Sequence, residues 1–440
     1  MTIASPSWKN LALHVWGPLA VVAPALAFPL VKPAASLALI GCAVLWCVLA
    51  VRYGPEPGLT WRAQGLPLIG PASVVLVLAA IGTVWSAFPM WSVPKFASLL
   101  LGILIARAVL LTASTADRVG WMMVAYVACG AIIVATAAMA GPQWRGQGNG
   151  YFQTLADRFV PVVVRIPGAE SGPNTNAIGG TILFFLPACW SLLWPWPSIA
   201  RTQPRRRAFW FVTMALLMFV LLISQSRSAW GSALLVMGLV LAARFRAVAF
   251  AGGLAAVMAA GAALWIGPSA ALRDMLHLIQ PVTGFFDNGD RSLIWRFALE
   301  AIRQHPWFGV GFGAFRDVIH SVSVNGATYA LDVPHAHNQF LQVALDLGVP
   351  GLLAYLALLA GATRLTWRIC RSAADGPLPS AALGVWGGVV AIHVFGLVDC
   401  IALGAKVGIF FWIDLALIGA IYRLVWGGTV VFSAGSSPDA

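Results

Sequence analysis

Apolar residues form long, nearly uninterrupted runs along most of this 440-residue chain, while polar residues gather in short breaks and one long stretch. A helical run of roughly 17–25 apolar residues matches the hydrocarbon thickness of a bilayer. Such runs lie at 11–31, 34–51, 66–87, 94–113, 120–140, 176–196, 208–224, 229–243, 248–266, 338–362, 380–400 and 405–427. The pattern predicts an all-α, polytopic membrane protein of about twelve transmembrane helices. The run at 229–243 is the shortest, and it and 248–266 also fit re-entrant segments. Three parts follow: helices one to nine over 1–266 with an outer loop at 141–175, a large outer loop at 267–337, and helices ten to twelve with a tail over 338–440.

The large loop carries its own pattern. Leu293, Ile294, Phe297, Ala301 and Ile302 recur at helical spacing, which predicts a helix over 291–305. Asp290 is placed to cap its start and Pro306 to stop it. Gly309, Gly311 and Gly313 follow with no strand or βαβ unit around them, so they read as a tight turn and not as a nucleotide fingerprint. In the smaller loop, Asn174 or Asn176 is placed to cap the sixth span.

Composition sharpens this reading. Hydrophobic residues make up 60% of the chain and charged residues 10%, against about 25% charged in soluble domains. The net charge of +12 would suggest nucleic acid in a soluble chain, but here it tracks topology. With the N-terminus inside, Lys9, Arg52, Arg62, Arg107, Arg118, Arg201, Arg205–Arg207, Arg244, Arg246, Arg364, Arg368, Arg371 and Arg423 fall on the cytoplasmic side. The C-terminus is then inside and the 267–337 loop outside, where a long loop is exempt from the charge rule. The six cysteines sit in or beside apolar runs with no Cys-x-x-Cys pair, which reads as core packing. Ala25-Leu26-Ala27 resembles a signal cleavage site, although the flanks are weak. The sequence has no P-loop, which argues against an ATP-driven pump.

A handful of polar residues could carry chemistry. Arg227 sits in Ser-Gln-Ser-Arg-Ser between the seventh and eighth spans. It either snorkels to the interface or offers a guanidinium fork to a phosphate. Arg291 lies in the first turn of the loop helix, where a cation destabilises the helix unless an anion or a carboxylate such as Asp287 or Asp290 answers it. Arg296 is five residues on and reads as structural. His335 and His337 in Pro-His-Ala-His-Asn-Gln lack a nearby Cys or Glu to complete a recognisable ligand set, so no metal is expected there. A histidine at a membrane mouth suits a general base, with a satisfied interfacial histidine as the plainer reading. Asn338 could orient that imidazole or an incoming hydroxyl. Lys95 and Arg165 either extend an electropositive funnel or anchor at the interface. Asp399 is read as a structural partner of Lys406, with a proton relay through Asp399 and Asp414 as the transporter alternative.

At these residues the chain resembles the O-antigen ligases and related O-antigen polymerases. The similarity rests on Trp-Ser-x-x-Pro at 85–89, Ser-Arg-Ser around Arg227, Asp-Arg-Ser-Leu-Ile-Trp-Arg at 290–296, and His-Ala-His-Asn with a Leu-Gly-Val-Pro-Gly tail. It covers roughly residues 70–400. The resemblance implies a C-type glycosyltransferase-like membrane fold and a metal-independent, inverting transfer that needs no cofactor. Its partners would be undecaprenyl-pyrophosphate-linked O-antigen and lipid A-core at the periplasmic face of the bacterial inner membrane. It also implies His337 as the loop histidine and Arg227 and Arg291 as phosphate-binding arginines. Lys95, Arg165, Asn174, Arg296, His335 and Asn338 are candidate contacts to pyrophosphate or glycan. The alternatives are an O-antigen polymerase, a protein O-oligosaccharyltransferase and, from another class, a lipid-linked glycan transporter.

Overall fold

The computed structural model describes residues 68–113, 115–140, 150–160, 162, 173–193, 204–245, 289–330, 332–372 and 377–426. The expected spans at 11–31, 34–51 and 248–266, and the candidate Arg165, lie outside the described residues. Helices dominate what is described. They are α1 (Ile69–Val84), α2 (Pro89–Thr112), α3 (Ala116–Met139), α4 (Gly150–Phe159), α5 (Thr175–Leu193), α6 (Pro204–Ile223), α7 (Arg227–Arg244), α8 (Gly289–Gln304), α9 (Phe315–Val318), α10 (Gln339–Cys370), α11 (Pro377–Phe395) and α12 (Ile409–Trp426). One two-stranded antiparallel pair, β1 (Ser323–Val324) with β2 (Ala327–Thr328), sits in the large loop.

Among the described residues, six stretches are long and apolar enough to cross a membrane: Pro89–Leu110, Ala116–Met139, Thr175–Leu193, Gln339–Cys370, Pro377–Phe395 and Lys406–Trp426. Each overlaps a run expected from the sequence. The runs at 66–87, 208–224 and 229–243 form shorter apolar helices. Helices α5 and α11 pack along each other at the centre, flanked by α3, α6, α7, α10 and α12, while α1 lies on α10 and α2 on α12. Their apolar core is continuous, from Val75 and Leu99 through Phe184 and Phe185 to Phe410 and Ile418.

The expected tenth span is in fact two helices meeting at a kink. Gly348 has φ +72° and ψ 179°, and Pro350 follows inside the run. Proline lacks an N–H and disfavours helix in the residue before it, so Leu-Gly-Val-Pro-Gly breaks the helix by its own chemistry. The break is put to use: Val349 N–H donates to Pro306 O at 2.7 Å, and Val310 N–H donates to Leu345 O at 2.7 Å. A side chain at Gly348 would run into the Trp307 carbonyl, and its φ disfavours any other residue. Gly348→Ala is therefore expected to lower stability by about 1–3 kcal/mol from backbone strain alone. The measurement is a thermal melt of the purified protein, with proteolysis of the 305–313 turn as the local readout.

A second, smaller core holds the large loop together. Ile294, Phe297, Ala298 and Ala301 of α8 pack with Phe315, Ile319, Tyr329, Val333 and Ala336. Two details of the expected helix change. Asp290 lies inside α8 and not before it, and Leu293 is 43% exposed, off the buried stripe. The turn at 309–313, with all three of its glycines at positive φ, docks on the bundle. Phe312 N–H donates to Gly82 O at 3.2 Å, and Lys95 Nζ donates to Gly313 O at 2.7 Å. Arg316 pairs with Asp332 and lies over the Trp91 ring, 5.6 Å from its centroid. The loop is thereby seated on the ends of α1, α2 and α10.

Candidate active site

Where the loop meets the bundle, three segments converge on one carboxylate. Asp399 sits between the end of α11 and the turn at Lys406–Gly408, and it is 4% exposed. A buried carboxylate is costly unless charge or hydrogen bonds compensate it. Here Cys400 N–H donates to Asp399 Oδ1 at 2.8 Å. Arg291 Nη2 lies 3.8 Å from Oδ2, His335 Nε2 3.9 Å from Oδ1 and His337 Nδ1 3.3 Å from Oδ1. The His337 contact has ion-pair distance without the alignment of a formed hydrogen bond. This corrects the expected pairing of Asp399 with Lys406: the carboxylate turns to the histidine motif and the loop arginine.

Each partner is held by local structure. Arg291 and Trp295 are one helical turn apart on α8, so they share a face. Arg291 reaches Asp399 while Trp295 Nε1–H donates to Ala336 O at 3.1 Å, fixing the residue between the two histidines. His337 has φ +48°, a left-handed conformation uncommon for a non-glycine residue. Such strain persists only where the surroundings impose it, and it occurs often at functional sites. Immediately afterwards Asn338 caps α10, its Oδ1 accepting from Phe340 N and Leu341 N at 3.0 Å each. Its Nδ2–H donates to Leu397 O at 3.0 Å. Asn338 is thus occupied by the backbone on both sides.

The ring states follow from these bonds. His337 N–H donates to His335 Nδ1 at 3.2 Å, so the proton of neutral His335 resides on Nε2, facing Asp399. Burial pushes His335 down to about 4, with His337 adding to the effect against the pull of Asp399. Burial alone would raise the Asp399 carboxyl, yet its contacts with His337, His335 and the Cys400 N–H outweigh that and hold it below the usual carboxylate range. His337 points Nδ1 toward that carboxylate, so closing the 3.3 Å contact into a hydrogen bond would place the ring proton on Nδ1 and leave Nε2 to accept. That is the arrangement of a base oriented by an acid.

His335, His337 and Asp399 are also metal-ligand types, with their ligating atoms all within 4.8 Å of one another. The carboxylate that completes such a set lies 62 residues on from His337 and escapes a search for close spacing. Two features favour proton sharing over a metal. A metal at His335 Nε2 would have to displace the proton that the Nδ1 bond places there, and the Arg291 guanidinium already answers Asp399.

The neutral state of His335 has a consequence for stability. A histidine depressed in the folded state stabilises the fold above its unfolded value of about 6.5, and that contribution disappears as pH falls toward 4. Thermal stability is expected to fall across that window, with His335→Gln flattening the upper part of the curve. A pH series of melts checks it.

The remaining expected residues fall as follows. Arg227 opens α7 and is exposed. Its turn is brought to the same end by α5: a Cβ on Gly179 would lie 2.8 Å from Ser226 Cβ, and one on Gly180 3.1 Å from Ile401 Cδ1. Two adjacent small residues thus let the Arg227 turn and the Asp399 segment pack on one helix turn. Asn174 Oδ1 accepts from Asn176 N at 2.8 Å and Ala177 N at 3.3 Å, so it caps α5. Lys95 is engaged by Gly313 as described, and Arg296 lies on the exposed side of α8. Ser86 of the Trp-Ser-x-x-Pro segment accepts from Phe88 N and from Ser92 Oγ, and packs against Gly311. That motif shapes the seat of the loop.

Asp399 is the member of the cluster that the sequence reading gave no catalytic part. A signal existed: an acid at the end of an apolar span invites a functional reading, although its partners lie far away in the chain. No curated protein matches the chain. Residues 211–356, which include Arg227, Arg291 and both histidines, match the family model described as O-antigen ligase, and this supports the resemblance drawn from the motifs.

Proposed function

We propose that the protein is an O-antigen ligase. It transfers O-antigen polysaccharide from undecaprenyl pyrophosphate to the lipid A-core oligosaccharide at the periplasmic face of the inner membrane. The observation that carries this is the convergence of Arg291, His335, His337 and Asp399 at one end of an apolar bundle, with the arginine and both histidines part-exposed. In this reading both termini are cytoplasmic and the 267–337 loop is periplasmic.

The reaction joins an acceptor sugar hydroxyl to C1 of the donor glycan, and undecaprenyl pyrophosphate leaves with the bonding electrons. His337 Nε2 takes the hydroxyl proton, and Asp399 holds the ring and stabilises the imidazolium that forms. Arg291 and Arg227 hold the pyrophosphate, where negative charge grows as the bond breaks. Arg291 exchanges its contact with Asp399 for the phosphate when donor binds, leaving the carboxylate to the histidine. Direct attack by the hydroxyl inverts the anomeric centre. The pyrophosphate is already an activated leaving group, so the transfer is proposed as metal-independent.

The test is lipopolysaccharide banding in cells lacking the gene, complemented with wild type or Arg291→Ala. Loss of the ligase leaves polymerised glycan on the isoprenoid and core without it. Core carrying a single repeat unit would instead identify an O-antigen polymerase. Arg291→Ala is expected to restore little or no ladder.

A further inference from the structure

Two buried glutamines one turn apart join the halves of the site. Gln339 is 4% exposed and Gln342 3%, at the start of α10. Gln342 Oε1 accepts from Ala336 N at 2.9 Å, and its Nε2–H donates to Asp346 Oδ1 at 2.9 Å. Asp346 Oδ1 also accepts from Gly313 N at 2.9 Å, which ties the glycine turn to the same helix. Gln339 Oε1 accepts from Ile401 N at 3.1 Å and from Cys400 Sγ at 3.3 Å, the two residues after Asp399. Gln339 N–H donates to Gly396 O at 2.7 Å, on the other side of Asp399.

The orientation of the Gln339 amide is set from inside the bundle. His393 Nδ1 lies 2.5 Å from Val389 O, so Nδ1 carries a proton and Nε2 must accept. The Tyr355 hydroxyl, 2.5 Å from that Nε2, is therefore the donor. Tyr355 oxygen then accepts from Gln339 Nε2 at 3.3 Å, which leaves Gln339 Oε1 to face Cys400 and Ile401. Gln339, Gln342, Tyr355, His393 and Asp346 are thus linked by buried hydrogen bonds. A buried network of this kind specifies a single arrangement because any slip leaves a donor or acceptor unmet.

We infer that Gln339 and Gln342 are positioning residues for the transfer: one helical turn whose two amides set the spacing between the Asp399 segment and the His335–His337 segment. Gln342 holds the backbone between the histidines, and Gln339 holds the backbone on both sides of the carboxylate. The hydrogen bonds of the two amides go to backbone groups beside the histidines and the carboxylate and to Asp346, Cys400 and Tyr355, so each acts through the groups it holds. The 3.3 Å contact of His337 with Asp399 is the quantity they control.

The inference rests on the proposed transfer, and its test separates the two. Purified wild type, Gln339→Leu, Gln342→Leu and Tyr355→Phe are assayed in lipid with lipid-linked donor and lipid A-core acceptor. Misplacing a reacting group by about an ångström costs up to about 10²-fold in rate. Gln339→Leu and Gln342→Leu are expected to lower kcat by about tenfold to 10²-fold with donor KM little changed. Tyr355→Phe, which keeps the ring and removes only the remote hydroxyl, should lose kcat by several-fold and serves if the leucine variants do not fold. A structural role alone would reduce the amount of folded protein and leave kcat per folded molecule intact. The readout independent of transfer is the rate at which diethyl pyrocarbonate modifies His337, followed by peptide mass spectrometry. It should rise several-fold in the glutamine variants, even if wild type proves to catalyse another reaction. Wild-type kcat and wild-type modification rates in folded Gln339→Leu, or in Tyr355→Phe where that is the variant obtained, would overturn the inference. An inactive wild type with altered His337 reactivity in the variants would overturn the ligase reading alone.

Discussion

Replacing His337 with alanine should lower the transfer rate by about 10²–10⁴-fold, the range for loss of a general base. His337 presents Nδ1 to a buried carboxylate 3.3 Å away, while its own N–H holds the neighbouring ring. His337 carries this geometry at φ +48°, so alanine there keeps the backbone strain without the group that the strain serves. The protein should remain folded, because the backbone on either side of His337 is held by Trp295, Gln342 and the Asn338 cap. The measurement is single-turnover transfer by purified enzyme, with a melt to verify the fold. Full activity in the alanine variant would remove His337 from the mechanism.

The second large effect is expected at Asp399. Asparagine is nearly isosteric, but it cannot stabilise an imidazolium and it leaves the Arg291 guanidinium facing a neutral amide. In a histidine–carboxylate pair of known mechanism, the same exchange costs about 10⁴-fold in kcat. Asp399→Asn should therefore approach the His337→Ala loss in kcat, and the double variant should be little worse than either alone, since residues acting as a unit are not additive. Arg291→Ala provides the contrast, because it should also weaken donor binding, which raises donor KM. Additive losses in the double variant would show that Asp399 and His337 act separately. Steady-state kinetics of the four proteins decide it.

The parts of this protein that were legible from the sequence are those governed by neighbours in the chain. Apolar run length placed the six candidate spans among the described residues, because a helix in hydrocarbon satisfies its own backbone. A cap at Asn174 or Asn176, the loop helix and the glycine turn were legible for the same reason, each being set within a few residues, and the structure selects Asn174. The motif His-Ala-His-Asn could be picked out as polar residues at the start of an apolar run. Its inner division of labour could not: Asn338 reads as an orienting group and proves to cap α10 and hold Leu397. Leu293 reads as core and lies exposed, because the angle at which α8 settles on the loop, and not its own periodicity, selects the buried face.

What the sequence by itself determined was a helical membrane protein with a polar loop that carries arginines and a histidine pair. Only the tertiary structure decided which groups meet. Asp399 is 108 residues from Arg291 and 62 from His337, and nothing in its local sequence points to either. Their meeting depends on Gly180 admitting Ile401 at close range, on the kink at Gly348 receiving the 305–313 turn, and on Gln339 and Gln342 facing opposite segments. These are consequences of shape and of satisfying buried polar groups. Both are properties of packed helices, and neither is written in any single stretch of chain.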